Sequence, residues 1–327
     1  MKITLNENEM NKIGDYLFAL DKNIDEGDYF NDVLHSTIFV KKQKKPFEIV
    51  ELDPSKYLDN PYYKLIKPSK EKKGDVYLTY DKYLPKQGFV YDEIKLDKKD
   101  FREKTPFGYF PSEFPFLALK EKDVTWMSIT PHEINTMEEG IKNAKGNVVT
   151  LGLGLGYFAF MVSNKEDVKH VKIIETNEKV IDIFKKDILP SFPNKEKIEI
   201  IKQDAFVFLS SSFEENYLYA DLWHMPEDAL PIYTKILQFE ETHPNTKFEY
   251  WIEKSILALI RRSIIVLLDE EMYESVDANY MQESTLSDHL INQIHFILKN
   301  KEIKNIQDVI SLLDFPSLKE IAKKIKY

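Results

Sequence analysis

The residues best suited to chemistry lie in a glycine-rich loop near the middle of the chain. Gly152, Gly154 and Gly156 follow an apolar β-type run at residues 147–151 and precede a predicted helix that starts at Tyr157. Glycine permits positive φ and lets a ligand approach the bare backbone. The first turn of the following helix offers free N–H groups, which favour a carboxylate or a phosphate. The loop therefore predicts a ligand site, although a strand–helix turn without a ligand would use the same residues.

An acidic residue ends the second predicted strand, at residues 171–175. Glu175 follows the glycine loop at about the 20-residue offset of the ribose-binding acid in dinucleotide sites. A carboxylate there can accept hydrogen bonds from both ribose hydroxyls. The glycine spacing, G-x-G-x-G, differs from the G-x-G-x-x-G of nicotinamide and flavin sites. Together, the loop and Glu175 predict a nucleoside site of another kind; Glu175 alone would also fit an exposed strand end.

Two further acids end predicted strands at matching positions. Asp204 ends the third strand and Asp221 ends the fourth. In an open parallel sheet, ligands bind beyond the carboxyl ends of the strands, so both acids are candidates for the same site. Asp204 would accept from an adenine amino group. Asp221 would face the reacting end of the ligand and is the candidate catalytic base, if burial or a neighbouring acid raises its pKa. Either acid would also serve as a helix cap.

Three regions with different patterns position these residues. Residues 1–122 combine a helical pattern with short extended pieces, as in a small α+β domain. Residues 123–253 alternate β-type and helical runs, which predicts an α/β fold with a Rossmann-like, mostly parallel sheet and helices on both faces. Residues 254–327 are predicted to be helical. The predicted extended pieces of the first region are residues 37–40, 47–52, 75–79 and 88–94.

A helix is predicted directly before the glycine loop. Thr130, Pro131 and Glu133 combine a capping threonine, proline at the first helical position and a glutamate that would close a capping box. The apolar spacing that follows predicts one helix that continues until Gly146.

The composition narrows the class of protein. The chain has 327 residues, no cysteine and a formal net charge of −10. The negative charge disfavours nucleic acid as a partner, and the histidine spacing predicts no metal site. With no signal peptide and no apolar run long enough to cross a bilayer, we expect a cytoplasmic protein. The apolar helical faces after residue 254 would serve a core or a homodimer.

At these residues the chain resembles the class I S-adenosylmethionine-dependent methyltransferases, and among them the branch near the spermidine synthases. The resemblance covers about residues 123 to 253. Its motifs are Val148-Val149-Thr150-Leu151-Gly152-Leu153-Gly154-Leu155-Gly156, Ile173-Ile174-Glu175, Gln203-Asp204-Ala205-Phe206 and Ala220-Asp221-Leu222-Trp223.

The resemblance implies that S-adenosylmethionine is the cofactor. Glu175 would then bind its ribose, and the turn containing Asp204 and Ala205 would contact its adenine. The predicted helix before the loop would border the methionine end of the cofactor. That position makes residues 126–128, including Trp126, and His132 candidate contacts.

Three functions remain open from the sequence. The first is a methyltransferase whose acceptor, a small molecule or a protein, is not identified. The second is an aminopropyltransferase, which the lack of an acid between the glycines disfavours. The third is a catalytically inactive cofactor fold that acts as an interaction module. It is favoured by Thr150, which replaces the usual acid before the first glycine, and by the absence of the usual closing β-hairpin.

Overall fold

The computed structural model describes residues 1–34, 49–68, 75–272 and 286–327. The extended piece predicted at residues 37–40 lies outside the described residues, as do residues 47 and 48 of the piece predicted at 47–52.

The N-terminal region is an α+β unit, as predicted. Its elements are β1 (Lys2–Ile3), α1 (Glu7–Leu34), β2 (Ile49–Glu51), α2 (Ser55–Leu58), α3 (Pro61–Leu65), β3 (Val76–Tyr83), β4 (Gly88–Val90), β5 (Lys95–Leu96), β6 (Glu103–Lys104), β7 (Phe107–Tyr109), β8 (Phe114–Glu121) and β9 (Val124–Ser128). The strands form sheets of order β2-β7-β4 and β3-β8-β9 and a separate β5-β6 pair. The boundary predicted near residue 122 falls within the β8–β9 hairpin.

The central region contains a five-stranded, fully parallel sheet. Its elements are α4 (Pro131–Thr136), α5 (Glu138–Asn143), β10 (Gly146–Leu151), α6 (Tyr157–Ser163), β11 (Val168–Glu175), α7 (Glu178–Ile183), β12 (Ile198–Lys202), α8 (Ala205–Leu209), β13 (Tyr217–Ala220), α9 (Pro226–Leu237) and β14 (Lys247–Tyr250). A π-helical turn (Phe184–Ile188) and two 3₁₀ turns (Leu189–Ser191 and Lys195–Lys197) lie between α7 and β12.

The order of these strands confirms the predicted Rossmann-like α/β fold. The sheet runs β12-β11-β10-β13-β14, with every neighbouring pair parallel. The first strand of the region, β10, is therefore central, and its apolar residues are buried, as a strand covered on both faces requires. The strand order reverses between β10 and β13, which is the position where ligands bind in such sheets.

The helix predicted from Pro131 to Gly146 is two shorter helices, α4 and α5, that meet at Met137. The Thr136 hydroxyl donates to the His132 carbonyl oxygen at 2.8 Å, next to the end of α4. Such a side-chain bond competes with the backbone bonds that would continue a helix. Gly146 adopts φ +70° and begins β10 rather than capping the helix.

The C-terminal region is mainly helical, as predicted. Its elements are α10 (Glu253–Met272), α11 (Leu286–Leu298), β15 (Glu302–Ile303), α12 (Ile306–Leu312) and α13 (Phe315–Ala322). The short strand β15 pairs in parallel with β1, which the sequence patterns did not predict. No described helix combines the length and apolar character that a membrane span requires.

A buried charge cluster joins the C-terminal region to the N-terminal region. Arg261, on α10, is 1% exposed and donates to Glu103 Oε1 at 3.2 Å and to the Leu313 carbonyl oxygen at 3.3 Å. Arg262 donates twice to Glu103 Oε2, at 3.0 and 2.9 Å. Because a buried charge needs a partner, these bonds fix the position of β6 against α10.

The N-terminal region also holds the glycine loop through α3. The Tyr62 hydroxyl donates to the Leu155 carbonyl oxygen at 2.6 Å, and the Asn60 amide donates to the Tyr157 hydroxyl at 2.9 Å. The Tyr63 hydroxyl donates to the Ile129 carbonyl oxygen, just after β9. One short helix therefore positions both the glycine loop and the segment opposite it.

Candidate functional site

A cleft of about 440 Å³ lies at the carboxyl ends of β10, β11 and β13, next to the switch point of the sheet. Its walls come from the glycine loop, the ends of these strands, the first turns of α4 and α6, and β9. The lining residues are Thr125, Trp126, Met127, Ser128, Ile129, Glu133, Met137, Thr150, Gly152, Leu153, Gly154, Leu155, Tyr157, Phe158, Ala159, Glu175, Thr176, Asp221, Leu222, Trp223, His224 and Trp251.

Glu175 is hydrogen-bonded directly to the glycine loop. Its Oε2 accepts from the Leu153 N–H at 3.2 Å, and its Oε1 accepts from the N–H groups of Thr176 at 2.7 Å and Asn177 at 2.8 Å. The two features that the sequence predicts to act together therefore meet in the structure. A carboxylate oxygen has two acceptor positions, so Oε1 is filled and Oε2 retains one. Glu175 Oε2 can therefore accept a hydrogen bond from one ribose hydroxyl. The sequence predicts bonds from both ribose hydroxyls, and the second would have to displace the bond from the Leu153 N–H.

The three glycines of the loop are needed for different structural reasons. All three adopt positive φ, at +94°, +54° and +75°. A Cβ at Gly152 would lie 2.0 Å from the Asp221 carbonyl oxygen, and one at Gly156 would lie 2.3 Å from the Phe184 ring. A Cβ at Gly154 would meet nothing within 4 Å. Gly152 and Gly156 are thus required by packing, and Gly154 leaves backbone open to the cleft.

Two carboxylates, those of Asp221 and Glu133, line the cleft. Burial raises the pKa of Asp221 to about 7. Burial, and then the charge of Asp221, raise the pKa of Glu133 well above its usual range. The hydroxyl of Tyr219, two residues before Asp221 on β13, is buried and has no hydrogen-bond partner in the described part of the chain. In the described part of the chain, neither acid forms an ion pair, and no lysine or arginine lines the cleft beside them.

Aromatic rings supply much of the remaining wall. The Trp223 indole donates to the Trp251 carbonyl oxygen at 3.2 Å, and the Trp251 indole donates to the Thr136 hydroxyl at 2.8 Å, so both rings are held in place. Trp126 and Tyr157 face the same space. No lysine or arginine occurs among the described residues that line the cleft. Acids and aromatic faces without basic side chains favour a positively charged ligand.

Four of the predicted site residues do not line the cleft. Gly156 is buried against Phe184, as described above. Asp204 is exposed and caps α8 by accepting from the N–H groups of Phe206 at 2.8 Å and Val207 at 3.0 Å, while Ala205 is buried. His132 packs edge-on to Trp251, and burial lowers its pKa to about 4. Gly152, Gly154, Glu175, Trp126 and Asp221 are brought together in the cleft. A role in cofactor binding stays a prediction for all of them.

Sequence analysis did not single out Glu133 and Trp251 as site residues. Glu133 was expected to close a capping box, and its N–H does contact the Thr130 hydroxyl at 3.5 Å, but its side chain faces the cleft. Trp251 directly follows β14. Its position at the carboxyl end of a strand is the sequence feature that could have indicated a site residue. Among the described residues, no group of histidine, aspartate and glutamate side chains could hold a metal ion.

The cleft has groups that suit the nucleoside and the positively charged groups of S-adenosylmethionine, but its described lining has no lysine or arginine for the carboxylate. The open backbone at Gly154 leaves space that any side chain would fill, and Glu175 Oε2 has a free acceptor position for a ribose hydroxyl. The acids and aromatic rings at the other end of the cleft are suited to a sulfonium and an ammonium group.

Comparisons with known proteins give only remote similarities. No family model and no curated protein sequence matches the chain. Similar solved structures include precorrin 8w decarboxylase of Methanobacterium thermoautotrophicum, with 15% identity over 34% of this chain and 56% of that chain and a TM-score of 0.27. A candidate O-methyltransferase from Klebsiella pneumoniae has 9% identity over 47% of this chain and 61% of that chain, with a TM-score of 0.27. Spermidine synthase from Thermotoga maritima has 10% identity over 57% of this chain and 65% of that chain, with a TM-score of 0.31.

This chain thus spans 56% to 65% of the length of these three structures. Similarities at this level carry no argument about function. The fold assignment rests on the strand order of the sheet itself.

The glycine loop yields a first prediction, concerning stability. Gly152→Ala and Gly156→Ala should each lower the free energy of unfolding by about 3 kcal/mol or more, because the new methyl group overlaps a carbonyl oxygen or an aromatic ring. Gly154→Ala should lose only about 1 kcal/mol, the strain of a left-handed alanine. Urea unfolding followed by circular dichroism measures all three. Equal losses at the three positions would contradict the assignment of Gly154 to open space.

Asp221 yields a prediction about pH. Its pKa is raised from the usual value near 3.9 in the unfolded chain to about 7 in the fold. Between these values the folded protein keeps a proton that the unfolded chain has lost, so stability falls as the pH rises. The variant Asp221→Asn has no titratable group at this position, so its stability does not fall with pH for this reason.

The free energy of unfolding of Asp221→Asn, relative to wild type, should therefore increase from about pH 4 to about pH 7. The expected gain is on the order of 2 kcal/mol or more, since one pKa unit equals about 1.4 kcal/mol. Urea titrations across this range provide the measurement. A difference between the two proteins that does not change with pH would show that the Asp221 pKa is not raised.

Proposed function

We propose that this chain is an S-adenosylmethionine-dependent methyltransferase. The observation that supports this most directly is the hydrogen bond from the Leu153 N–H to Glu175 Oε2, which joins the glycine loop to the acid at the end of the neighbouring strand. Both groups line a cleft at the switch point of a parallel sheet, where a nucleoside can reach both bare backbone and a carboxylate.

The proposed cofactor position follows from these contacts. Glu175 would bind a ribose hydroxyl, and Gly154 would allow the nucleoside to lie against the backbone. Trp126, Tyr157 and the carboxylate of Asp221 would surround the charged end. Bound S-adenosylmethionine would supply a methyl group on a positively charged sulfur. Opposite charges and aromatic faces attract such a group, and the attraction is stronger in a cleft partly shielded from water.

The contribution of the chain to catalysis would be orientation and proton transfer. Holding two reactants in line can lower a barrier by about 7–11 kcal/mol in the best cases. Asp221, whose pKa burial raises to about 7, can accept a proton from the acceptor near neutral pH. Glu133, which also lines the cleft, would keep a positively charged acceptor within reach. The open space at Gly154 favours this function over an inactive interaction module, which would be expected to fill its cleft with side chains.

The proposal is tested by calorimetric titration with S-adenosylmethionine and S-adenosylhomocysteine. We expect both to bind, and we expect Glu175→Ala to weaken binding by about tenfold or more, because it removes a charged hydrogen-bond partner. Gly154→Ala should also weaken binding, since its methyl group would occupy the open space. Glu178→Ala is the matched control, because Glu178 is exposed on α7, does not line the cleft and pairs with Lys202. If neither compound binds the folded wild-type protein, the proposal is wrong.

A second candidate, aminopropyl transfer, is favoured by the charge of the cleft. Its described lining offers no lysine or arginine for the carboxylate of the intact cofactor. The decarboxylated form lacks that carboxylate, so its net positive charge is higher and suits Glu133 and Asp221. This function predicts tighter binding of decarboxylated S-adenosylmethionine than of the intact cofactor, and turnover with putrescine. Preference for the intact cofactor, with no turnover of putrescine, would reject it.

A further inference from the structure

The edge of a β-strand borders the cleft. Four consecutive residues of β9, Thr125 to Ser128, line the cleft. Side chains alternate between the two faces of a strand, so a cavity that contacts one face would meet only every second residue. A bulge at Trp126 interrupts this alternation, but Met127, Ser128 and Ile129 lie beyond it and all three line the cleft. The cleft therefore meets the open edge of β9 at Ser128. The other edge of β9 is paired with β8.

The register of the hairpin shows which backbone groups face the cleft. The Ile129 N–H donates to the Leu117 carbonyl oxygen at 2.8 Å, which continues the pairing of β9 with β8. In an antiparallel pair, residues alternate between those bonded to the partner strand and those directed away from it. The N–H and C=O groups of Ser128, the residue before Ile129, therefore point to the open edge. No described group outside the hairpin bonds to them.

An unpaired strand edge is a binding surface for an extended peptide. Such a peptide adds as a further strand: its backbone supplies the hydrogen bonds, and its alternate side chains enter pockets beside the edge. The pocket beside β9 contains Glu133 and Asp221, with no lysine or arginine in its described lining. The side chain that this pocket accepts is therefore positively charged.

We propose that the methyl acceptor is a lysine side chain on an extended peptide segment, which pairs with the open edge of β9 and directs the lysine amine toward Glu133 and Asp221. This inference rests on the proposed methyltransferase function. It assigns the edge at Ser128 to the acceptor, whereas the sequence resemblance placed residues 126–128 next to the cofactor.

The reaction balances without a further reactant. The lysine ammonium group loses one proton to the Asp221 carboxylate, which exposes the nitrogen lone pair. That lone pair attacks the methyl carbon, the carbon–sulfur bond breaks as the carbon–nitrogen bond forms, and S-adenosylhomocysteine leaves with the electron pair on sulfur. The products are methyl-lysine and S-adenosylhomocysteine, and Asp221 returns its proton to water.

The test uses the full chain saturated with S-adenosylhomocysteine and the peptide acetyl-Thr-Val-Lys-Val-Thr-amide as the probe. A matched peptide with norleucine in place of lysine keeps the backbone and the aliphatic chain but lacks the charge. Calorimetry should show binding of the lysine peptide and at least about tenfold weaker binding of the norleucine peptide. With S-adenosylmethionine instead, mass spectrometry should show the lysine peptide gaining one methyl group.

Two variants separate the strand edge from the side chain at Ser128. Ser128→Pro removes the outward N–H without removing a bond to β8, and proline is tolerated on strand edges in that orientation. It should weaken peptide binding by about tenfold or more while S-adenosylhomocysteine still binds. Ser128→Ala keeps the backbone donor, so peptide binding should persist.

The outcomes distinguish the two proposals. If S-adenosylhomocysteine does not bind the wild-type protein, both are overturned. If it binds but the lysine peptide does not, or if both peptides bind equally, only the peptide acceptor is rejected. If Ser128→Pro abolishes binding of S-adenosylhomocysteine together with the peptide, the edge belongs to the cofactor site and this inference is wrong.

Discussion

One carboxylate fixes the distance between the two turns on which the site depends. The turn after β10 and the turn after β11 both direct backbone N–H groups toward Glu175, which accepts from Leu153, Thr176 and Asn177. Backbone N–H groups removed from water must be paired, and a charged acceptor makes such bonds stronger. Because the same side chain binds both turns, it sets the width of the cleft. The Tyr62 hydroxyl holds the far end of the loop through the Leu155 carbonyl oxygen.

The part of the cleft that contains Asp221 and Glu133 is electrostatically unfavourable. Burial raises the pKa of Asp221 to about 7, and burial together with the charge of Asp221 raises that of Glu133. Perturbed acids that share a cleft are typical of functional sites, because a core would normally pair or exclude them. Arg261 and Glu103, by contrast, are buried charges that pair with each other. A positively charged ligand would supply the missing partner, which connects the cofactor and acceptor proposals to one physical cause.

Sequence patterns predicted the parts of this fold that depend on local spacing. The glycine loop, the strand-end acid Glu175 and the alternation of strands and helices all appear at the predicted positions. The patterns did not predict features of the structure that depend on long-range contacts. The helix expected from Pro131 to Gly146 divides near Thr136, whose side chain bonds to His132 and Trp251. Distant segments also decide three other features, for which the local sequence carries little signal. These are the β1–β15 pair, the cleft-facing side chain of Glu133 and the open edge of β9.

The central claim is that Glu175 and the adjoining glycine loop bind the same nucleoside. A crystal structure of the wild-type protein with S-adenosylhomocysteine tests it most directly. The account predicts a ribose hydroxyl within hydrogen-bond distance of Glu175 Oε2, nucleoside atoms against the backbone at Gly154, and the sulfur atom on the side of Asp221 and Trp126. A ligand bound elsewhere, or one in this cleft that makes no contact with Glu175, would contradict the account.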